Sequence, residues 1–179
     1  RELLLPDSME QNQSRQLARQ FYKSGDLQPI CDFIEQRYFK VFDNRDYPQA
    51  NELTIKTAFL SLLFDDRFYM MKSETELQRR YVDLTMIVRP EKRHLPLKNF
   101  FLELKFIRLG AVDLTGEKAR QMTVDDIKKL SEVQQKLADA KKQLVDYQQR
   151  WKKKYADDLP IHAIAVVTLG FERVVWERL

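Results

Sequence analysis

The order of hydrophobic periodicities along this chain predicts an α/β (α+β) domain with one central mixed β-sheet flanked by helices. Two observations carry the prediction. Apolar residues recur at helical spacing through the first third and then switch to a period of two over residues 68–107. A long helical stretch then separates those strand-like runs from two more at the C-terminus. At 179 residues the chain has the length of one domain. A domain of this size hides ~70% of its unfolded surface, enough for a core without disulfides or structural metal.

Gln13 to Lys23 carries Leu17, Phe21 and Tyr22 at helical spacing, Gly25 interrupts, and Ile30, Phe33, Ile34 and Phe39 mark a second helix. The single cysteine, Cys31, reads as a small core residue of that helix. Asn44 to Pro48 forms a turn. From Ala50 to Phe64, the residues Leu53, Phe59, Leu60, Leu62, Leu63 and Phe64 cover most of a helix surface, which predicts a deeply buried helix with Glu52 as its acidic exception. Phe68 to Glu74, Tyr81 to Val88 and Asn99 to Ile107 read as strands, the last two joined through Pro90 to Pro96. Thr123 opens a long helix, with Asp125 and Asp126 suiting the positive end of its dipole. Ile127, Leu130, Val133, Leu137, Ala140, Leu144, Tyr147 and Trp151 give it one core-facing side over ~30 residues, or about 45 Å. Asp157 to Pro160 stops it, and Ile161 to Leu169 and Phe171 to Trp176 form a hairpin around Gly170.

Composition excludes several chemistries. The four glycines stand apart, at Gly25, Gly110, Gly116 and Gly170, so no glycine-rich phosphate loop exists. One cysteine and two histidines, His94 and His162, leave no zinc ligand set and no nucleophile–histidine spacing. Any catalysis here must run on carboxylates and lysines, with a hard metal as an option. No apolar run approaches the ~20 residues of a membrane span and no basic-then-apolar leader opens the chain, so the expectation is a soluble, cytoplasmic protein with no membrane partner. The initial Arg1 suggests a piece of something longer.

In the third strand Phe101, Glu103 and Lys105 share one face, opposite Phe100, Leu102, Leu104 and Phe106. In the second, Asp83 lies on the face of Tyr81 and Thr85, opposite Val82, Leu84, Met86 and Val88. If the two pair antiparallel with residue numbers summing to about 186, Asp83 falls opposite Glu103. Two carboxylates ~5 Å apart repel unless a cation lies between them, and Mg²⁺ suits two carboxylates, waters and a phosphate. Lys105 points to the same place, where it polarises or deprotonates a water or neutralises phosphate charge. Spacing alone favours a plain Glu103–Lys105 pair on a solvated face with Asp83 as neighbour.

Asp83 followed by Phe101-Leu102-Glu103-Leu104-Lys105 resembles the PD-(D/E)XK nuclease superfamily. Arg80-Tyr81-Val82-Asp83-Leu84 is similar to the Gly-Tyr-Ala-Asp-Leu segment of a subgroup found at the C-terminus of AAA-ATPase-like proteins. Ser73-Glu74, Asn51-Glu52, Gln143 with Tyr147, Ala163 to Phe171 and Leu5-Pro6-Asp7 through Glu10 resemble further segments of that subgroup, in order. Arg80 departs from its usual glycine, and Ile107 to Gln121 looks like a long inserted loop.

The resemblance implies a restriction-endonuclease-like fold over residues 49–179, preceded by a helical segment at 1–48. It implies a Mg²⁺-dependent nuclease, with Mn²⁺ as an alternative ion, hydrolysing nucleic acid, DNA in the first instance, by metal-activated water. Asp83 and Glu103 would bind metal, Lys105 would assist the water, Glu52 would add an acidic contact and Gln143 would lie nearby. An ATPase-like domain would precede this chain. Glu52 has a second reading, as a first-turn acid paired with Lys56 at i+4. The competing function is an inactive nuclease-fold module that binds nucleic acid or a protein.

The chain carries 31 Lys+Arg against 27 Asp+Glu, a net +4. Residues 140–155 hold six cations, Lys141, Lys142, Arg150, Lys152, Lys153 and Lys154, against Asp146 alone. That local field suits a polyanion. Seven-residue spacing also aligns Lys136, Gln143 and Arg150 as a phosphate-facing edge, or alternatively as a solvated stripe. Trp151 and Tyr155 read as core residues, and the two histidines carry no functional signal.

Overall fold

The computed structural model describes residues 7–41, 52–77, 80–155 and 159–179, with side chains described outside 7–12 and 74–81. Expectations placed on Leu5, Pro6, Asn44 to Pro48, Asn51 and Asp157 lie outside those residues, as do the side chains of Asp7, Glu10, Glu74, Arg80 and Tyr81.

Five strands form one sheet in the order β1 (Tyr69–Leu77), β2 (Arg80–Val88), β3 (Asn99–Ile107), β4 (Ile161–Leu169), β5 (Arg173–Arg178). β3 and β4 are parallel and the other neighbours antiparallel, so the sheet is mixed. A parallel pair requires a crossover, which the helices α4 (Gly116–Gln121), α5 (Val124–Lys128) and α6 (Ser131–Tyr155) supply. Asn99 anchors the start of the β2–β3–β4 block. Its Oδ1 accepts from the Val88 N–H at 2.8 Å and its Nδ2 donates to Pro160 O at 3.1 Å.

Alternation along β3 divides the core into two layers. Phe100, Leu102 and Leu104 pack with Phe21 and Tyr22 of a first helix, α1 (Asp7–Ser24), Ile30 and Cys31 of α2 (Gln28–Phe33), and Ile55 and Phe59 of α3 (Glu52–Leu63). Phe101 and Ile107 pack under α6 against its seam of Val133, Leu137, Ala140, Leu144, Tyr147 and Trp151. The Phe21 ring stacks on Phe100 with centroids 4.3 Å apart, and the Tyr22 hydroxyl donates to Leu63 O at 2.9 Å. Cys31 is fully buried, and burial pushes its thiol well above the ordinary value, as suits a core residue. Beyond α2 the chain runs through a π-helical turn, Ile34–Tyr38, whose Glu35 accepts from the Val174 N–H at 2.6 Å and from Arg173 Nε at 3.2 Å. Among the described residues no helix is long and apolar enough to cross a membrane.

The structure corrects several expectations. Thr123 does not open one long helix. It caps the short α5, accepting from the Asp126 N–H at 3.1 Å, and the Leu130 N–H closes a tight turn on Ile127 O before α6 begins. The apolar periodicity runs through because Ile127 and the α6 seam bury into the same layer. Residues 107–121 are not simply a loop, since they contain a 3₁₀ turn, Leu109–Val112, and the Thr115-capped α4 with Ala119 buried. α3 is buried on one face only: Ile55, Lys56, Phe59, Leu62 and Leu63 are buried, whereas Leu53 and, just past its end, Phe64 are 63% and 59% exposed. β5 starts at Arg173 because Gly170, at φ +54°, and Phe171 belong to the turn, where Phe171 packs edge-on to Phe39. Trp151 is a core residue but Tyr155 is exposed, its ring 4.2 Å from that of Trp151.

Candidate active site

β2 and β3 meet in the expected register: Leu84, Thr85 and Met86 stand opposite Leu102, Phe101 and Phe100. Beyond Leu84, a side chain takes up a strand amide, for the Leu104 N–H donates to Asp83 Oδ2 at 2.8 Å. The simple alternation predicted for β2 does not hold here. Val82 packs in the α6 layer whereas Leu84, Met86 and Val88 pack in the other, so Asp83 sits where the pleat changes face. Its carboxylate is met by α3: Lys56 Nζ lies 3.0 Å from Asp83 Oδ1.

β3 keeps its alternation, and this carries Glu103 and Lys105 onto the face of Phe101. Ala165 of β4 is the register partner of Glu103, and its methyl leaves room there. Glu103 is 4% exposed. Its Oε1 accepts from Lys105 Nζ at 2.8 Å, while its Oε2 is buried with no hydrogen-bond partner. Burial first, and the neighbouring Asp83 charge second, push the Glu103 carboxyl up to about 7 against the opposing pull of Lys105. Burial by itself would lower Lys105. The hydrogen bond and charge of Glu103, with Glu52 and Asp83 behind them, outweigh it and hold the ammonium above its ordinary value. Glu52, at the start of α3, thus acts on Lys105 through its charge.

A pH dependence follows. Folded Glu103 keeps its proton up to about 7, whereas an unfolded glutamate releases it near 4.5, so the folded state binds more protons in between. Stability in the presence of a chelator is expected to fall as pH rises from about 4.5 to about 7, and Glu103→Gln is expected to flatten that slope in urea melts at a pH series.

Lys56 is a residue of this cluster that the sequence pattern pairs only with Glu52 at i+4, whereas the structure pairs it with Asp83. Its signal was present nonetheless. Lys56 lies three residues before Phe59 and seven before Leu63, inside the apolar stripe of α3, where a cation needs a buried anion.

The predicted nucleic-acid residues divide around α6. Lys141 pairs with Glu177 on β5, and Gln148 donates to Ile161 O at 3.0 Å, which fixes one flank of the helix toward β4 and β5. At 100° per residue, Lys152 shares that flank and Lys142 and Lys153 point away from the sheet. Lys136, Gln143 and Arg150 take the opposite flank, on the side of β2. Arg150 is paired with Asp146 at 3.1 Å, and Gln143 has an exposed side chain. The six cations clustered in sequence therefore do not form one face.

Residues 50–178 match the family described as the PD-(D/E)XK nuclease superfamily. The chain belongs to that superfamily. Its mixed five-stranded sheet flanked by helices is the restriction-endonuclease-like α/β fold. The PD-(D/E)XK match spans α3, all five strands and α6, and leaves α1 and α2 outside it. No curated protein and no solved structure matches the chain.

PD-(D/E)XK nucleases typically use divalent metals, and the donors here fit a hard ion. Glu103 Oε2 is a buried carboxylate oxygen without a partner, electrostatically coupled to Asp83. Among the described residues no three His, Cys, Asp or Glu converge. Two carboxylates with the remaining positions left to water are oxygen donors of the kind a hard divalent ion takes.

Proposed function

We propose that this chain is a Mg²⁺-dependent nuclease that hydrolyses phosphodiester bonds of DNA, with Mn²⁺ as a competent substitute. The observation that carries the reading is the unpartnered, buried Glu103 Oε2 beside Asp83 and Lys105 in a chain of this superfamily. Asp83 and Glu103 would hold the ion, which when bound would supply Lewis-acid stabilisation of charge on the phosphate. Lys105 is kept as an ammonium by Glu103, which supports a role in stabilising charge on the attacked phosphate and orienting the water. In the hydrolysis a water oxygen forms the new bond to phosphorus as the ester oxygen departs. Glu52 tunes Lys105, and Lys136, Gln143 and Arg150 line the helix flank along which the strand would lie.

Residues 49–179 are the proposed nuclease-like domain, with 1–48 as a helical segment before it. The likeness of Arg80 to Leu84 to the AAA-ATPase-associated subgroup supports an ATPase-like domain in the same polypeptide.

Calorimetric titration of Mn²⁺ or Mg²⁺ into the protein and into Asp83→Ala, paired with plasmid and oligonucleotide cleavage, tests the reading. Metal binding and cleavage by the unaltered protein, both lost in Asp83→Ala, are expected. Absence of metal binding in the unaltered protein would leave a non-catalytic binding module. The logarithm of the affinity for DNA should also fall linearly with log salt, with a slope set by the number of phosphates neutralised.

A further inference from the structure

We propose that Lys56 is the counter-ion that stands in for the divalent cation at Asp83 in the metal-free site, and that it thereby sets how tightly the site takes metal. This rests on the metal-dependent reading above and concerns a residue outside the acid–acid–lysine set.

The two carboxylates are held in different ways. Glu103 gives one oxygen to Lys105 and leaves the other without a donor. Asp83 has a donor on each oxygen, Lys56 Nζ at 3.0 Å on Oδ1 and the Leu104 N–H at 2.8 Å on Oδ2. The Leu104 amide is part of β3 and cannot withdraw. The Lys56 ammonium ends a flexible four-carbon stem, so it is the group that gives way when a cation approaches Asp83.

Charge points the same way. In the metal-free cluster each carboxylate already has an ammonium beside it, Lys56 at Asp83 and Lys105 at Glu103. Side-chain exposures of 9% for Lys56 and 16% for Asp83 leave little water to screen an added charge. A divalent ion entering with Lys56 in place would meet a like charge beside its ligand. Binding is therefore coupled to retreat of the ammonium, or to arrival of a phosphate that takes up the excess. Glu52, one turn earlier on α3, adds its negative charge at Lys105.

The test is calorimetric titration of Mn²⁺ into the full chain, free of substrate, for the unaltered protein, Lys56→Gln and Lys56→Arg, with thermal melts with and without Mn²⁺. Gln keeps an N–H donor for Asp83 Oδ1 without the charge, which protects folding. Lys56→Met, of similar volume, serves as a second neutral variant. Mn²⁺ is expected to bind Lys56→Gln about tenfold more tightly, because a close like charge has gone. Lys56→Arg should stay near the original affinity. The metal-free melting temperature of the neutral variants should fall, and Mn²⁺ should recover most of the loss. A purely structural lysine predicts the same loss with and without Mn²⁺. Equal or weaker Mn²⁺ affinity in Lys56→Gln and Lys56→Met, with the unaltered protein still binding, overturns the role of Lys56 and leaves the nuclease reading standing. No Mn²⁺ binding by any of the proteins overturns both.

Discussion

Glu103→Gln is expected to abolish most cleavage while making the metal-free protein more stable. Removing a charge-stabilising group from a reaction centre lowers turnover by about 10³-fold, and Gln offers a metal far weaker ligation than a carboxylate. Stability moves the other way. With its pKa pushed up to about 7, the folded carboxylate at pH 8 carries a penalty of roughly 3 kcal/mol from burial and from Asp83. A neutral amide of the same shape escapes that penalty but deprives Lys105 of its anion, so the net gain should be about 1–2 kcal/mol, a few degrees in melting temperature. Urea melts in chelator at pH 8, beside single-turnover cleavage assays, measure both effects. Loss of stability together with loss of activity would make Glu103 a structural acid, paired with Lys105 to hold β3.

Phe21→Ala is expected to destabilise the protein by about 3–5 kcal/mol, and removal of residues 1–48 to abolish cooperative folding of the rest. Phe21 is 1% exposed and stacks on Phe100, whose face of β3 also carries Leu102 and Leu104. Ile30, Cys31 and Ile34 close the same layer. Without them, the apolar face of β2, β3 and β4 would meet water over Leu84, Met86, Leu102, Ile164 and Val166. Denaturant melts and dye binding by residues 49–179 provide the measurement. A sharp two-state melt of that fragment would mean that α3 and α6 suffice for the sheet. The family match begins at residue 50, so the segment that secures this layer lies outside the shared part of the chain.

The β3 strand was legible residue by residue because its information is local. A period of two put Phe101, Glu103 and Lys105 on one side, and the loop from Pro90 to Pro96 allowed the β2–β3 register to be counted, as the Leu84–Leu102 pairing bears out. β2 was harder to read. Nothing within its own residues says that the face changes between Val82 and Leu84, where Asp83 is met by an ammonium on α3 and an amide on β3. The α5–α6 break was hidden for a related reason: a tight turn that returns the chain to the same apolar layer leaves the spacing of apolar residues intact. The lysines of α6 clustered in sequence, yet a helix rotates its side chains by 100° per residue, and one flank is already committed to Glu177.

The sequence by itself determined the element order, the mixed sheet, the two apolar faces of β3 and the presence of an acid, an acid and a lysine at positions able to meet. These follow from the periodicity within each segment, the order of the segments along the chain and the short loop that fixes the β2–β3 register. Only the tertiary structure decided that Asp83 belongs to Lys56, that Glu103 keeps one oxygen unpartnered and is pushed toward protonation, and that α1 and α2 share the core of the sheet. Burial and charge pairing between residues far apart in the chain depend on how whole layers close on one another, and no single segment carries that information.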